Sequence, residues 1–505
     1  MPEAFIPIGD TGKSAFFLAL EQARQFPCTD KVIVLGLSEA KYPDTGMEFS
    51  LKSSEKWSRK QMLETISSLE TGYDLVYFAW ADCPFLDPAL AAALKQRHIQ
   101  YAADYSYADG FPYGFAPELL SPGTAGILFN IDNENDMPVD RDALFQVIQK
   151  DINAFNIETE ISPVDLRLWR LCLAADSKRN LLLLNRALET SNELPTAARA
   201  AELIERNPQM LRTLPSFYNI QVSEACAQDC SYCPWPKIRG TGTACMEADK
   251  FNQILDKVIE FSGDAVISLS LWGELALHPQ KIELISKVLD RPSLSLIIET
   301  SGIGWTSEEL KTLSSLAANA AKPSNVLLDS PLSWIVSLDA FDPARYKTIR
   351  GPGFSEAAAF AKQLFELFPK DIYVQAVRFQ GAEDDIEAFY RHWKGILPVN
   401  QIIIQKYDHF CGRLPRLQAS DLSPVRRRPC WHLARDMHIA LDGSILRCRE
   451  DFGASKQFNV FTSSLSEIWE SSADINSGKG LYLEHSKGIY PGECAGCDEY
   501  YTYNF

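Results

Sequence analysis

Three cysteines in one short loop constrain this chain more than any other feature. Cys226, Cys230 and Cys233 follow the apolar run 217–222 in the order Cys-x3-Cys-x2-Cys, with the aromatic Tyr232 before the last cysteine. A cubane iron–sulfur cluster takes four thiolates, so three clustered cysteines leave one iron open to an outside ligand. A structural zinc site usually combines two close-spaced ligand pairs and fills all four positions. The spacing favours a cluster with an open iron, and zinc remains the alternative.

Polar motifs follow three apolar runs downstream of this loop. They are Trp272-Gly273-Glu274, Thr300-Ser301-Gly302 and Ser337-Leu338-Asp339. With the three cysteines, these motifs resemble the radical S-adenosylmethionine (SAM) enzymes over residues 216–400. The resemblance implies that the cysteines hold a [4Fe–4S] cluster and that the amino and carboxylate groups of SAM chelate its open iron.

The same resemblance implies the residues that contact SAM. Gly273 and Glu274 match the end of a Gly-Gly-Glu motif whose glutamate accepts hydrogen bonds from the SAM ammonium, although Trp272 replaces the first glycine. An ordinary turn glutamate is the alternative for Glu274. Tyr232 matches the aromatic residue that lies beside the adenine.

Four further residues are expected to contact SAM. They are Thr300, Ser337, Asp339 and Arg350. Ser337 and Asp339 are expected at the ribose or methionine part, and Asp339 has the alternative role of capping the following helix. Arg350 resembles a recurrent family arginine near the SAM carboxylate, with a solvated loop charge as the alternative.

Strand-like and helical patterns alternate through this part of the chain. Strands are predicted at 265–271, 294–298, 334–337, 372–377 and 401–404, and helices at 246–261, 282–289, 308–317, 354–368 and 385–393. About six strand–helix repeats predict a parallel sheet covered by helices, which the resemblance identifies as a partial (β/α)6 barrel. Such sheets bind ligands at the carboxyl ends of their strands, where the motifs above fall.

A second cysteine set lies near the carboxyl end. Cys430 and Cys448 flank a predicted hairpin with an Asp442-Gly443 turn, and Cys494 and Cys497 form a close pair. Four thiolates also suit zinc. The spacing resembles the SPASM/twitch extension of radical SAM enzymes, and because no further cysteine follows, it implies the shorter twitch form with one auxiliary [4Fe–4S] cluster.

Five cysteines are left outside both sets. Cys411 is the nearest spare thiol to the second set and would change its ligand count by displacing a member, and Cys245 is the closest to the first. Cys28, Cys83 and Cys172 are expected to be buried or incidental thiols.

The first 190 or so residues show a different α/β pattern. The segments around Asp82, Gly114 and Asp176 resemble sugar-nucleotide cytidylyltransferases, in which the aspartate at Asp82 helps to hold Mg²⁺. The expected phosphate-binding loop keeps only one lysine, Lys13, and Ala116 stands where an aspartate is expected. We therefore predict a degenerate domain, retained for docking or architecture, rather than an active transferase.

Length and charge limit the remaining classes. A chain of 505 residues with 46% hydrophobic residues is neither a single ordinary core nor mainly disordered. Its formal charge of −17 argues against nucleic acid or anionic membrane as a partner. No signal peptide and no apolar run of about 20 residues is found, so we expect a cytoplasmic protein whose cysteines serve as ligands or buried thiols.

Taken together, the sequence predicts four segments. They are a degenerate nucleotidyltransferase-like domain at 1–195, a linker at 196–214, a radical SAM core at 215–405 and a SPASM/twitch domain at 406–505. The resemblance implies an oxidoreductase in which an external flavodoxin- or ferredoxin-type reductant drives SAM cleavage and the auxiliary cluster accepts an electron. A sugar or nucleotide-sugar substrate is preferred, with a peptide-modifying enzyme and a non-catalytic redox sensor as alternatives.

Overall fold

The computed structural model describes residues 2–191, 193–239, 242–323, 327–452, 458–471 and 478–502. The chain divides into two compact units, Met1–Leu211 and Arg212–Phe505, each with its own hydrophobic core. Within the described ranges, no helix has the length and apolar character needed to cross a membrane.

The first unit mixes short strands with helices. Its strands are β1 (Ile33–Leu37), β2 (Ser50–Ser54), β3 (Val76–Phe78), β4 (Tyr105–Asp109), β5 (Glu118–Leu120) and β6 (Ile157–Ile161). Its helices are α1 (Ala15–Ala23), α2 (Arg59–Leu69), α3 (Pro88–Gln100), α4 (Thr124–Ile131), α5 (Ala143–Ile148), α6 (Lys178–Ser191) and α7 (Ala200–Arg206).

Two sheets organise this unit. Strands β1 and β2 pair in parallel, and a second sheet has the order β3-β5-β4-β6, in which β5 runs antiparallel to both neighbours. The side chains of Ser14, Ser58 and Asp87 accept backbone N–H groups at the starts of α1, α2 and α3, which satisfies donors that a helix start leaves open. The segment 197–211, which is most of the predicted linker at 196–214, packs apolar side chains into the core of this unit.

The second unit contains a longer strand series. Its strands are β7 (Phe217–Ile220), β8 (Ala265–Ser268), β9 (Leu294–Thr300), β10 (Leu332–Ser337), β11 (Ile372–Arg378), β12 (Ile402–Lys406), β13 (Asp436–Ile439) and β14 (Ile445–Leu446). Its helices are α8 (Trp235–Arg239), α9 (Ala248–Ser262), α10 (Lys281–Leu289), α11 (Ser307–Asn319), α12 (Pro343–Arg350), α13 (Phe354–Leu367), α14 (Glu383–Trp393), α15 (Trp431–Arg435), α16 (Leu465–Glu470) and α17 (Gly478–Ser486).

One eight-stranded sheet joins these strands in the order β12-β11-β10-β9-β8-β7-β13-β14. All neighbours are parallel except β13 and β14, which form the predicted hairpin. The parallel strands β7 to β12 with their helices confirm the predicted partial barrel. Because β13 pairs with β7, the carboxyl-terminal segment extends the barrel sheet, which the sequence did not predict.

The two faces of this sheet differ in character. Tyr218 and Ile220 of β7 pack against the helices in the main core. The opposite face, which we call the inner face, carries an apolar cluster that we call the floor. Its buried members are Phe217, Val266, Ile297 and Ile335.

Candidate functional site

The loop with the first three cysteines begins after β7 and ends at α8, at the carboxyl edge of the parallel strands. Two backbone contacts hold it: the N–H of Glu274 donates to Ala225 O at 2.7 Å, and the N–H of Ser231 donates to Ile349 O at 2.8 Å. The predicted motifs at Cys226 and Glu274 therefore meet in space, although about 50 residues separate them.

Gly273 is required by this close approach. Its φ is +84°, and a Cβ built there would lie 2.0 Å from the carbonyl oxygen of Ser223. A side chain would push away the loop that leads to Cys226. Gly273 therefore has a structural reason to be a glycine, whether or not it contacts SAM.

Glu274 is buried and bound by four donors. Oε1 accepts from the Thr300 hydroxyl at 2.7 Å and from Ala276 N–H at 3.3 Å, and Oε2 accepts from the N–H and hydroxyl of Ser301 at 2.9 and 2.8 Å. A carboxylate has about four acceptor positions. A contact from Glu274 to SAM therefore requires one of these donors, such as the Ser301 hydroxyl, to turn away.

Tyr232, Asp339 and Arg350 bind one another. The Tyr232 hydroxyl donates to Asp339 Oδ2 at 2.6 Å, and Arg350 Nη1 donates to the same oxygen at 2.6 Å. Burial opposes the charge of Arg350, but Tyr232, Cys230 and Asp339 together raise its pKa. The alternative of a solvated loop charge is wrong for Arg350, because it is buried near the end of α12.

Asp339 also does not cap the following helix. Asp342 does so by accepting the N–H of Arg345, whereas Asp339 Oδ1 accepts the N–H of Val377 at 2.8 Å. Asp339 has a φ of +61°, in the left-handed region, so these contacts hold a backbone shape that non-glycine residues seldom adopt. Its capping alternative is therefore wrong.

The remaining predicted SAM contacts lie on neighbouring strands. Thr300 ends β9 and binds Glu274, while Ser337 ends β10 and donates to Glu299 Oε1 at 3.1 Å. Gln375 Nε2 also donates to Glu299 Oε1, at 2.8 Å. These side chains form a polar layer on the strand ends, and their role toward SAM stays a prediction.

The three thiols of the loop are suited to be ligands of iron. Burial raises the pKa of Cys226 to about 11 and that of Cys233 to about 12, and it also raises the pKa of Cys230. Buried neutral thiols become thiolates when a metal cation replaces the proton.

Three carboxylates near the carboxyl-terminal cysteines also come close together. Among the described residues, Asp408, Asp498 and Glu499 bring three potential ligand atoms within 4.8 Å of one another.

The four carboxyl-terminal cysteines come together around α15. Cys430 precedes α15, Cys448 follows β14, and Cys494 and Cys497 lie at a short 3₁₀ helix. Burial raises the pKa of Cys430, Cys448 and Cys494, and the charge of Cys497 contributes to each rise. The four side chains therefore face a common space.

Cys411 belongs to the same neighbourhood. A contact between the Cys411 and Cys497 thiols raises the pKa of Cys411 and lowers that of Cys497 to about 7. The charge of Cys448 also acts on Cys411. The structure thus gathers five thiols where the sequence counted four.

Positively charged side chains already pair with the carboxylates of Asp408, Asp498 and Glu499, which lie beside Cys497. Arg449 Nη2 lies 2.8 Å from Asp408 Oδ2, and Lys406 Nζ lies 3.0 Å from Asp498 Oδ2 and also binds Glu499. These ion pairs compensate the acidic charge. The set therefore supports the segment that carries Cys497 rather than offering a cation site.

Asp82, the residue that the cytidylyltransferase resemblance matches to a Mg²⁺ ligand, is also paired with a positively charged side chain. Arg141 binds Asp82 through two hydrogen bonds and reaches Asp176 Oδ2 at 2.9 Å. Its guanidinium carbon lies 4.9 Å from the ring centre of Trp80 and 5.4 Å from that of Tyr113. The sequence did not identify Arg141, because nothing near Asp82 signals a partner 59 residues away.

The remaining lysine of the expected phosphate loop has a partner as well. Lys13 Nζ donates to both carboxylate oxygens of Glu21, at 2.8 and 2.9 Å. The backbone N–H of Gly9, a group that would face a phosphate, donates to Asn185 Oδ1 at 2.8 Å. These contacts agree with the degenerate interpretation of this loop.

Comparison with known proteins identifies the carboxyl-terminal segment. Residues 430–498 match the SPASM family, described as an iron–sulfur cluster-binding domain. An uncharacterized protein of Treponema pallidum (strain Nichols) is 36% identical over 372 residues, which are 72% of this chain and 98% of that protein. The chain and the treponemal protein belong to one family.

Two solved structures show more distant likeness. SuiB of Streptococcus suis, bound to precursor peptide SuiA, has 13% identity and a TM-score of 0.43, covering 83% of this chain and 86% of SuiB. A cytidylyltransferase from Leptospira borgpetersenii has 15% identity and a TM-score of 0.36, covering 41% of this chain and 89% of its own. No residue role follows from either likeness.

This protein contains an iron–sulfur cluster-binding segment near its carboxyl end, which includes Cys430, Cys448, Cys494 and Cys497. Its cysteine loop lies at the carboxyl edge of a partial barrel, and its SPASM domain follows in the same compact unit. The chain belongs to the family of the treponemal protein and carries a segment of the SPASM iron–sulfur cluster-binding family.

Proposed function

We propose that this enzyme oxidises a small hydroxylated substrate by two electrons. The observation that carries the proposal is that β7 pairs with β13, so the SAM-site loop and the auxiliary thiols extend from neighbouring strands of one sheet. When bound, the cluster and SAM supply reductive cleavage of SAM to a carbon radical that removes a substrate hydrogen. The substrate radical left by this hydrogen loss would become the two-electron oxidised product by giving up one proton and one electron, and a cluster held by Cys430, Cys448, Cys494 and Cys497 would supply an acceptor for that electron.

Each proposed site residue has a defined task. Cys226, Cys230 and Cys233 hold the first cluster. The hydrogen-bonded group of Tyr232, Asp339 and Arg350 orients the loop that carries these cysteines. Cys430, Cys448, Cys494 and Cys497 hold the second cluster. Gly273, Glu274, Thr300 and Ser337 shape the SAM pocket at the strand ends. Four protein thiolates would leave no iron of the second cluster open, which suits electron transfer.

The test compares radical formation with product formation. Protein reconstituted under anaerobic conditions receives SAM, dithionite and substrate, and 5′-deoxyadenosine and oxidised product are both quantified. We expect the variant with Cys494→Ala and Cys497→Ala to lose product far more than 5′-deoxyadenosine, because the surplus electron has no acceptor. Unchanged product in a folded variant would exclude the electron-acceptor role, and equal losses of both would indicate a structural role.

A further inference from the structure

Three buried polar side chains on the inner face have unused hydrogen-bonding atoms. Asn219 and Gln221 alternate with apolar residues along and just beyond β7, and His438 lies on β13. Their exposed fractions are 9%, 3% and 1%. Asn219 Oδ1, Gln221 Nε2 and both ring nitrogens of His438 have no hydrogen-bond partner among the described residues.

The strand register places these three side chains together. His438 is the direct parallel partner of Asn219, so both side chains lie on the same face of the sheet. Gln221 follows two residues after Asn219 and therefore shares that face. Phe217, two residues before Asn219, belongs to the floor, so the polar side chains lie on the inner face next to the floor, toward the carboxyl ends of the strands.

Three adjacent buried side chains with unused hydrogen-bonding atoms destabilise the folded protein when no ligand is bound. A buried polar atom that lacks a partner destabilises the folded state relative to one that is hydrogen-bonded. Three adjacent residues on one face with this deficit, at the depth where parallel sheets bind ligands, point to a binding site. We propose that Asn219, Gln221 and His438 recognise the hydroxyl groups of an uncharged polyol or sugar ring.

The donors and acceptors of Asn219, Gln221 and His438 favour a hydroxylated ligand. Gln221 Oε1 accepts the N–H of Leu441 at 3.1 Å, which fixes the amide and leaves Nε2 as a donor without a partner among the described residues. Asn219 Oδ1 is an acceptor, and neutral His438 offers one donor and one acceptor. Burial lowers the pKa of His438 to about 4, which keeps the ring neutral near pH 7.

Charged ligands match this set poorly. A phosphate or carboxylate only accepts hydrogen bonds and an ammonium only donates them, whereas a hydroxyl does both at one atom. Arg449, whose charge acts on His438, is already paired with Asp408. The inference rests on the proposed function, whose substrate it defines as neutral and hydroxylated.

The test measures binding without turnover. Saturation-transfer NMR on the reconstituted full chain with SAM uses three probes: myo-inositol, D-glucose and N-acetyl-L-alanine methylamide. We expect contact with a polyol or sugar in the wild type and at least about a 10-fold weaker affinity in Asn219→Leu and in Gln221→Leu, because each leaves a hydroxyl unpaired. Trp334→Phe is the matched control, because Trp334 Nε1 is equally buried and lacks a partner but lies in the helix-facing core.

The outcomes separate the two proposals. Contact with the amide probe alone, equal polyol contact in Asn219→Leu, or no polyol contact would overturn the inference, the first in favour of a peptide substrate. Deuterium transfer from perdeuterated myo-inositol or D-glucose into 5′-deoxyadenosine provides a second readout. If 5′-deoxyadenosine is not formed at all, the proposed function fails, while the binding result still decides the inference.

Discussion

Arg141 binds both carboxylate oxygens of Asp82, at 2.8 and 2.6 Å, at the position where the cytidylyltransferase resemblance implies a magnesium ligand. A guanidinium at this place supplies the positive charge that a divalent cation would otherwise supply. The domain therefore has a built-in reason not to bind the metal on which nucleotidyl transfer depends.

We expect Arg141→Met to expose a latent cation site. Removing one member of a buried ion pair costs about 3–5 kcal/mol, so the variant should melt earlier than the wild type. Mn²⁺ should restore part of that loss and give a bound-ion EPR spectrum, because Asp82 and Asp176 then face each other without a cation. Arg141→Lys is the control and should bind no Mn²⁺. Stoichiometric Mn²⁺ binding by the wild type would contradict this account.

Iron content tests the two cysteine sets. Anaerobic reconstitution should give about eight irons per chain, as two four-iron clusters require. Changing Cys226, Cys230 and Cys233 together to Ala should leave about four irons and abolish SAM cleavage. Metal analysis and the yield of 5′-deoxyadenosine measure both effects. Zinc at the carboxyl-terminal thiols would refute the twitch assignment.

The contact between Cys411 and Cys497 predicts ligand replacement. Because Cys411 lies against Cys497, Cys497→Ala should keep more auxiliary iron than Cys448→Ala. Adding Cys411→Ala to Cys497→Ala should remove that remainder, whereas Cys411→Ala alone should retain the full iron content. Iron per chain and the EPR signal of the reduced cluster distinguish these variants. Equal iron in Cys497→Ala and the double variant would show that Cys411 cannot serve as a ligand.

Glu118 predicts a pH dependence of stability in the first unit. Burial raises its pKa from 4.5 to about 7, with a smaller contribution from Asp142. The folded state therefore holds the proton more tightly than the unfolded state. Its stabilising contribution is fully present below about pH 4.5 and is lost as the pH rises through about 7, an effect on the order of 3 kcal/mol.

Glu118→Gln should flatten this part of the pH profile. Urea unfolding at several values between pH 4.5 and 7 measures the slope, and the difference between wild type and variant isolates the glutamate from other titrating groups. Tyr105→Phe removes the hydroxyl that donates to Glu118 and lowers its pKa, so this variant should keep the slope and extend it to higher pH. Parallel profiles for wild type and Glu118→Gln would contradict the prediction.

The sequence predicted the barrel because its signals are local. Helix α11, with its capping box at Thr306 and Glu309, and the hairpin turn at Gly443 lie close to their predicted positions. Helix α12 was missed, although Pro343 at its first turn and the capping residue Asp342 are sequence signals of a helix start. With α12 recognised, Arg350 would have been placed on a helix rather than in a loop.

The features that the sequence did not predict depend on contacts between residues that are far apart in the chain. Arg141 with Asp82 and Cys411 with Cys497 carry no local pattern, so only the folded chain brings them together. Asn219 and Gln221 do leave a signal, since polar residues alternate with apolar ones from 218 to 222, and describing this run as apolar overlooks it. Alternation indicates a strand with two different faces, and here the second face is the inner one.

Trp272, which replaces a family glycine, lies in an aromatic stack between the two cysteine regions. Its ring centre is 5.1 Å from that of Trp235, just after Cys233, and 4.6 Å from that of Phe452, just after Cys448. The interplanar angles of 19° and 18° are those of stacked rings. Each such pair is worth about 0.5–1.5 kcal/mol beyond its buried area.

We expect Trp272→Ala to lower the melting temperature by several degrees, because it removes both stacked pairs, on the order of 1–3 kcal/mol together. Trp272→Phe keeps a ring between Trp235 and Phe452 and should recover most of the loss. Calorimetry of the reconstituted protein, with iron content measured in parallel, also shows whether the stack holds the two cysteine regions in place. An unchanged melting temperature and iron content in Trp272→Ala would show that the stack is incidental, and the tryptophan at the glycine position would then have no structural task.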